Sequence, residues 1–134
     1  DAAYLLARAI QFFAPGIPQV YYVGMMAGEN DIELMEKTKN GRDINRHYFS
    51  MEEIEGQQKR RVVTELKRLM ELRNTESAFA LEGEIKVEIP REHSLEITRS
   101  YENEFITLKA DLQTFDFCIV KGENIIYKND LLGD

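Results

Sequence analysis

Apolar residues fill almost every position from Ala2 to Phe13, and only Arg8 and Gln11 interrupt them. That composition predicts a helix buried on nearly all sides. Ala14-Pro15-Gly16 ends it. The next run, Gln19-Val20-Tyr21-Tyr22-Val23, is short and apolar and lies between Pro18 and Gly24. Such a run is expected of a strand buried on both faces, as in a parallel sheet. Helix, tight turn and buried strand together indicate part of an α/β layer.

Residues 24–58 carry no continuous apolar face. Asn30 or Asp31 is placed to cap a short helix through Ile32–Lys37, and Ser50 with Glu53 has capping-box spacing. A polar connection this long inside a compact domain is usually functional. Over residues 59–73, Val62, Val63, Leu66, Leu69, Met70 and Leu72 predict one side of an amphipathic helix.

From Gly83 the period changes to two. Ile85, Val87 and Ile89 alternate with Lys86 and Glu88. Leu95 and Ile97 follow, then Ile106, Leu108 and Ala110, then Phe115, Phe117 and Ile119, and last Ile125–Tyr127. Pro90, Glu102-Asn103 and Gly122 with Asn124 mark the turns. The pattern predicts about five short strands in an antiparallel sheet with one wet face. Cys118 falls on one of these strands and reads as a small core residue.

The first half poses a burial problem. A strand apolar on both faces needs neighbours on both edges and helices on both sides. This sequence contains no such partners, so they are expected upstream or on another chain. The chain begins Asp1-Ala2-Ala3-Tyr4, without Met and without a basic n-region. It reads as part of a longer protein and not as a signal peptide.

Charge narrows the function classes. Among 134 residues the net charge is -7, which argues against a general nucleic-acid role. Residues 1–75 hold 11 acids and 11 bases, whereas residues 76–134 hold 13 acids and 6 bases. The asymmetry indicates two structural units with different surfaces. One cysteine excludes an internal disulfide and fits a reducing, cytoplasmic setting. No run reaches the roughly 18 apolar residues of a membrane span. His47 and His93 lie far apart without ligand spacing, so no metal site is expected.

Some residues carry a family resemblance. Pro15-Gly16-Ile17-Pro18-Gln19-Val20-Tyr21-Tyr22-Val23-Gly24 resembles the last barrel strand of the α-amylase superfamily. The continuation is more specific. Gly28-Glu29-Asn30-Asp31-Ile32-Glu33-Leu34 and Lys37-Thr38-Lys39-Asn40-Gly41-Arg42-Asp43-Ile44-Asn45-Arg46-His47-Tyr48 resemble the sucrose phosphorylases and their close relatives. The likeness is dense over residues 4–80 and weaker in the β region. Phe49 stands where a tyrosine is common, and Arg61 where a proline is expected.

The resemblance implies a fold of α/β plus all-β class. Residues 1–76 would be the last units of a (β/α)8 TIM barrel, comprising strand 8, its long loop and helix 8. Residues 77–134 would be a small C-terminal antiparallel β domain. The missing N-terminal barrel would then surround the apolar helix and strand. It also implies retaining transfer of glucosyl from sucrose to phosphate, giving α-D-glucose 1-phosphate and D-fructose, with no cofactor. The carboxylates of that chemistry lie on earlier strands in the family, so no catalytic residue is expected here. By resemblance, Arg42 contacts the glucosyl unit and pairs with an upstream aspartate. A planar, permanently charged guanidinium suits both tasks.

Plainer readings stand beside these. Arg42 alone in a long loop is also a candidate for a structural ion pair. Arg46 and His47 are candidates for holding anionic phosphate. Their structural alternatives are a tie from Arg46 to the barrel rim and a hydrogen-bonded role for His47. Asp43 and Asn45 are expected to shape the loop. Lys59-Arg60-Arg61 reads as solvated surface. Relatives acting on sucrose 6-phosphate or glucosylglycerate have the same chemistry and are alternatives. A non-catalytic binding or assembly module is the rival from another class.

Overall fold

The computed structural model describes residues 1–129 and 131. They group into two compact units, one of residues 1–18 with the described residues from 65 onward and one of residues 19–64. Helices α1 (Ala2–Phe13), α2 (Tyr22–Met25), α3 (Ile32–Thr38), α4 (Met51–Gln58) and α5 (Arg61–Thr75) precede strands β1 (Glu84–Glu88), β2 (Ser94–Tyr101), β3 (Glu104–Asp111), β4 (Phe117–Lys121) and β5 (Asn124–Lys128).

In the first unit the strands form one antiparallel sheet in the order β1-β2-β3-β4-β5. The period-two pattern gives this sheet two chemically different faces. Registers Ile97↔Leu108, Leu108↔Ile119 and Ile119↔Tyr127 place a buried row on the inner face. Leu5, Leu6, Ala9, Phe12 and Phe13 of α1 are buried, and α1 packs on β2 and β3. A short 3-10 turn, Ser77–Phe79, adds Ala78 and Phe79 to this core. The Phe79 ring meets Phe13 edge-on at 4.9 Å.

Two arginines close the C-terminal end of α1, where helical carbonyls lack partners. Arg99, on β2 and only 2% exposed, donates from Nη1 to the carbonyls of Phe13 (3.3 Å) and Ala14 (3.1 Å). From Nη2 it donates to Ala80 at 3.2 Å. Arg73 donates to Phe12 and Gly16, both at 3.0 Å, and lies over the Phe79 ring at 4.7 Å. Cations are favourable at a helix C-terminus, so the placement suits both charge and geometry. Burial pushes both guanidinium pKa values down.

Several expectations are corrected. Gln19–Val23 is not a strand: residues 19–21 belong to no ladder among the described residues, and Tyr22 starts the single turn of α2. A strand exists only where another ladders with it, and no second strand lies beside this run in the described chain. Tyr21 and Tyr22 are 53% and 38% exposed, with rings 4.6 Å apart instead of on opposite faces. α1 is buried on one side only, since Ala3 and Ala7 are exposed. β1 is wet on both faces, because α1 and the 3-10 turn cover β2 and β3 and stop short of the sheet edge. Phe115 sits in a left-handed turn (φ 65°), outside the strand. Cys118 lies between the buried Phe117 and Ile119 and so faces outward. It lines an open groove of about 600 Å³ with Glu96, Lys109 and Lys128.

Candidate functional site

The long polar segment lies within residues 19–64, and its own side chains hold it in place. Asp31 caps α3, its Oδ1 accepting from the Leu34 amide at 2.8 Å. The Asp31 amide donates to the Ile44 carbonyl at 2.6 Å, which ties the start of α3 to the 3-10 turn Gly41–Asn45. Ser50 and Glu53 form the capping box of α4. Each donor satisfied here is one a helix N-terminus leaves open.

His47 joins the two capped ends. Its Nδ1 lies 2.7 Å from Asp31 Oδ2 and its Nε2 3.2 Å from Glu53 Oε1. The Asp31 carboxylate, then that of Glu53, push the imidazole pKa up. His47 in turn draws Asp31 down, helped by the Leu34 amide. The Ser50 amide, then His47, draw Glu53 down. The Phe49 ring lies edge-on to the imidazole at 4.7 Å. The Tyr22 hydroxyl donates to the His47 carbonyl at 3.0 Å, and burial, then Tyr21, push its pKa up.

Asp31, His47, Phe49, Glu53 and Arg60 line a groove of about 550 Å³. Arg60 donates to the Ala27 carbonyl (3.0 Å) and to Gln57 (2.7 Å), so it is a tie within this unit and not merely solvated surface.

Arg42 and Arg46 do not line that groove. Arg42 sits in the 3-10 turn, where its amide donates to Asn40 Oδ1 at 3.2 Å. Its guanidinium is exposed and makes no hydrogen bond or ion pair among the described residues. Asn40 Nδ2 donates to Asp43 Oδ1 at 3.3 Å, and Arg46 pairs with the same oxygen at 3.6 Å. The turn is therefore cross-braced around Arg42 while its charge stays open. Loop caps were legible in the sequence, but the meeting of both caps at His47 was not, because only the folded path brings Asp31 within reach of it. Among the described residues no group of three or more His, Cys, Asp or Glu side chains is arranged to hold a metal ion. Among the described residues no helix is long and apolar enough to cross a membrane.

No family model matches the chain. Individual relatives do. A sucrose phosphorylase of Streptococcus mutans is 51% identical over 124 residues, covering 92% of this chain and 26% of its own length. A sucrose 6(F)-phosphate phosphorylase of Thermoanaerobacterium thermosaccharolyticum is 46% identical over 131 residues, covering 95% and 26%. Among solved structures, the crystal structure of sucrose 6F-phosphate phosphorylase from Thermoanaerobacter thermosaccharolyticum superposes with a TM-score of 0.86 at 42% identity. That match covers 96% of this chain and 27% of the other.

These matches place the chain among the glycoside phosphorylases. Within that class it belongs with the sucrose phosphorylases of the α-amylase superfamily, matching their C-terminal part. It spans about a quarter of the length of the curated relatives it matches.

Proposed function

We propose that the complete protein transfers a glucosyl unit from sucrose to phosphate with retention, releasing α-D-glucose 1-phosphate and D-fructose, and that Arg42 grips the glucosyl unit. In this reading residues 1–76 supply the last units of a (β/α)8 barrel, and residues 77–134 supply the antiparallel domain beside it. The extended stretch before Tyr22 then finds ladder partners only among upstream strands. The catalytic carboxylates belong to that upstream part, and the isolated chain is inactive. The protein works in the cytoplasm and uses no metal or organic cofactor.

The observation that carries the reading is the state of Arg42. Its guanidinium has no protein partner among the described residues, while Asn40, Asp43 and Arg46 fix the turn that holds it. A structural arginine is normally found in a bond. A ligand-gripping arginine is held at its backbone and left open at its tip. Such a fork meets a carboxylate and a sugar hydroxyl together, which a lysine does not do. Arg46 and His47 are already engaged with carboxylates. That supports a bracing role for them over phosphate binding.

The test uses the complete enzyme with Arg42→Ala and Arg42→Lys. Both are expected to lower kcat/KM for sucrose phosphorolysis about a hundredfold or more while leaving the melting temperature near the parent's. Near-normal turnover of Arg42→Ala refutes the assignment. Parallel assays on sucrose 6-phosphate and glucosylglycerate separate sucrose from the alternative donors.

A further inference from the structure

β1 presents an unfinished edge of the sheet. Its partner β2 bonds β3 through its odd-numbered residues: the hairpin closes at Tyr101↔Glu104, and at the far end the Leu112 amide donates to the His93 carbonyl at 2.7 Å. Antiparallel ladders alternate, so the even residues of β2 face β1. By the register Glu84↔Ser100, Lys86↔Thr98 and Glu88↔Glu96, the even residues of β1 take those bonds. The amides and carbonyls of Ile85 and Val87, and of Ile89 just beyond, therefore point away from the sheet. The same three side chains stand on the inner, core-forming face, opposite Arg99 and Ile97, yet they are 38%, 57% and 74% exposed. An open edge with an apolar row is a template for another strand.

We infer that β1 pairs with β1 of a second copy of this chain, antiparallel about a two-fold axis through Val87, making one continuous ten-stranded sheet across a dimer. Charge selects this register. Side chains must stay on their own face, so a two-fold axis has to pass through a residue of the strand. An axis through Lys86 sets Lys86 against Lys86 and Glu84 against Glu88. An axis through Glu88 sets Glu88 against Glu88. An axis through Ile85 pairs Glu84 with Lys86 but sets Glu82 against Glu88 twice and places Gly83 opposite Val87. Through Val87 the pairs are Lys86↔Glu88 twice on the outer face, and Ile85↔Ile89 twice with Val87↔Val87 on the inner face. Lys86 and Glu88 already approach to 3.0 Å within one strand, so the dimer places four alternating charges together. The register also joins the residues whose backbone groups are free. Pro90 falls opposite Glu84, at a pair that needs no bond from its missing amide. Cross-strand charge and β-branched pairs of this kind are the unit of sheet stabilisation. The interface is narrow, so the dimer is weak and concentration-dependent.

Charge reversal in the full chain tests this by sedimentation. Lys86→Glu and Glu88→Lys each set like charges opposite one another, and each alone is expected to weaken dimerisation about tenfold or more. Mixed together, the two variants again pair opposite charges and are expected to form a heterodimer at parental strength. That rescue also shows that both variants are folded. Val87→Cys provides a geometric readout, because residues directly opposite in a bonded antiparallel pair stand about 5.5 Å apart, within disulfide range. It is expected to cross-link under mild oxidation far more than Ile85→Cys. A monomeric parent, dimerisation indifferent to the charge changes, or equal cross-linking at 85 and 87 overturns the inference.

Discussion

Arg99 is the side chain whose loss is expected to cost the first unit most. It is 2% exposed, carries a full charge and has no carboxylate partner among the described residues; three backbone carbonyls hold it instead. Arg99→Met keeps the length and the apolar stem while removing the donors. Hydrogen bonds to a charged group contribute about 1.5–3 kcal/mol each. Those of Arg99 are 3.1–3.3 Å, longer than ideal charge-assisted bonds. About 1 kcal/mol each is therefore the appropriate figure, or about 3 kcal/mol in all. The Ala80 carbonyl also accepts from the Gly83 amide at 3.0 Å, whereas those of Phe13 and Ala14 close a helix end. The damage is thus expected to centre on α1. About 3 kcal/mol is a large share of a domain's stability and corresponds to a fall of about 10 °C in melting temperature. Urea unfolding followed by far-UV circular dichroism measures it. Arg73→Met removes two donors on a less buried side chain and is expected to cost less. If Arg99→Met melts with the parent, or Arg73→Met costs more, the account of α1 is wrong.

Two further outcomes follow from the geometry. A Cβ on Gly83 meets the Ser100 carbonyl oxygen at 2.6 Å and that of Ala80 at 3.0 Å. Backbone cannot yield as a side-chain tip can, so Gly83→Ala is expected to cost about 1–3 kcal/mol in urea unfolding, and an unchanged midpoint refutes the contact. The second concerns pH. The folded pKa of His47 is raised, so its contribution is complete below about pH 6.5 and is lost as pH climbs through the raised value. Asp31 and Glu53 are lowered, so theirs holds above about pH 4 and is lost as acid carries pH down through the lowered values. Melting curves of the parent are therefore expected to drop between about pH 6 and 8 relative to His47→Gln. Parallel slopes for the two proteins count against the clamp.

Much of the architecture was written in hydrophobic period. The five strands, the helix through Ala2–Phe13 and both loop caps appear where patterning and capping rules placed them. The failures share one physical origin, in that local pattern reports what a residue would bury against and not whether that neighbour is present. Gln19–Val23 has the composition of a central strand and forms none, because a ladder takes two. Ile85, Val87 and Ile89 have the alternation of a covered strand and lie in water, because coverage depends on how far α1 reaches. Arg99 shows the converse. A charged residue in an alternating strand reads as a wet position, yet it lies in the core because a helix end there needs donors. At the loop, Asp43 and Asn45 could be read as turn formers from their type alone, but the two-sided grip on His47 depends on a chain path that no short window encodes.

The bond from Arg99 to Phe13 spans 86 positions of sequence. On the ribosome, chain grows at about 5–20 residues per second. The greasy side of α1 therefore waits several seconds for the β2 and β3 surface that will shelter it. The β-meander, by contrast, closes hairpin by hairpin as it emerges. Throughout that interval the nascent helix is a natural client for a chaperone, and the arrival of a single arginine brings the wait to an end.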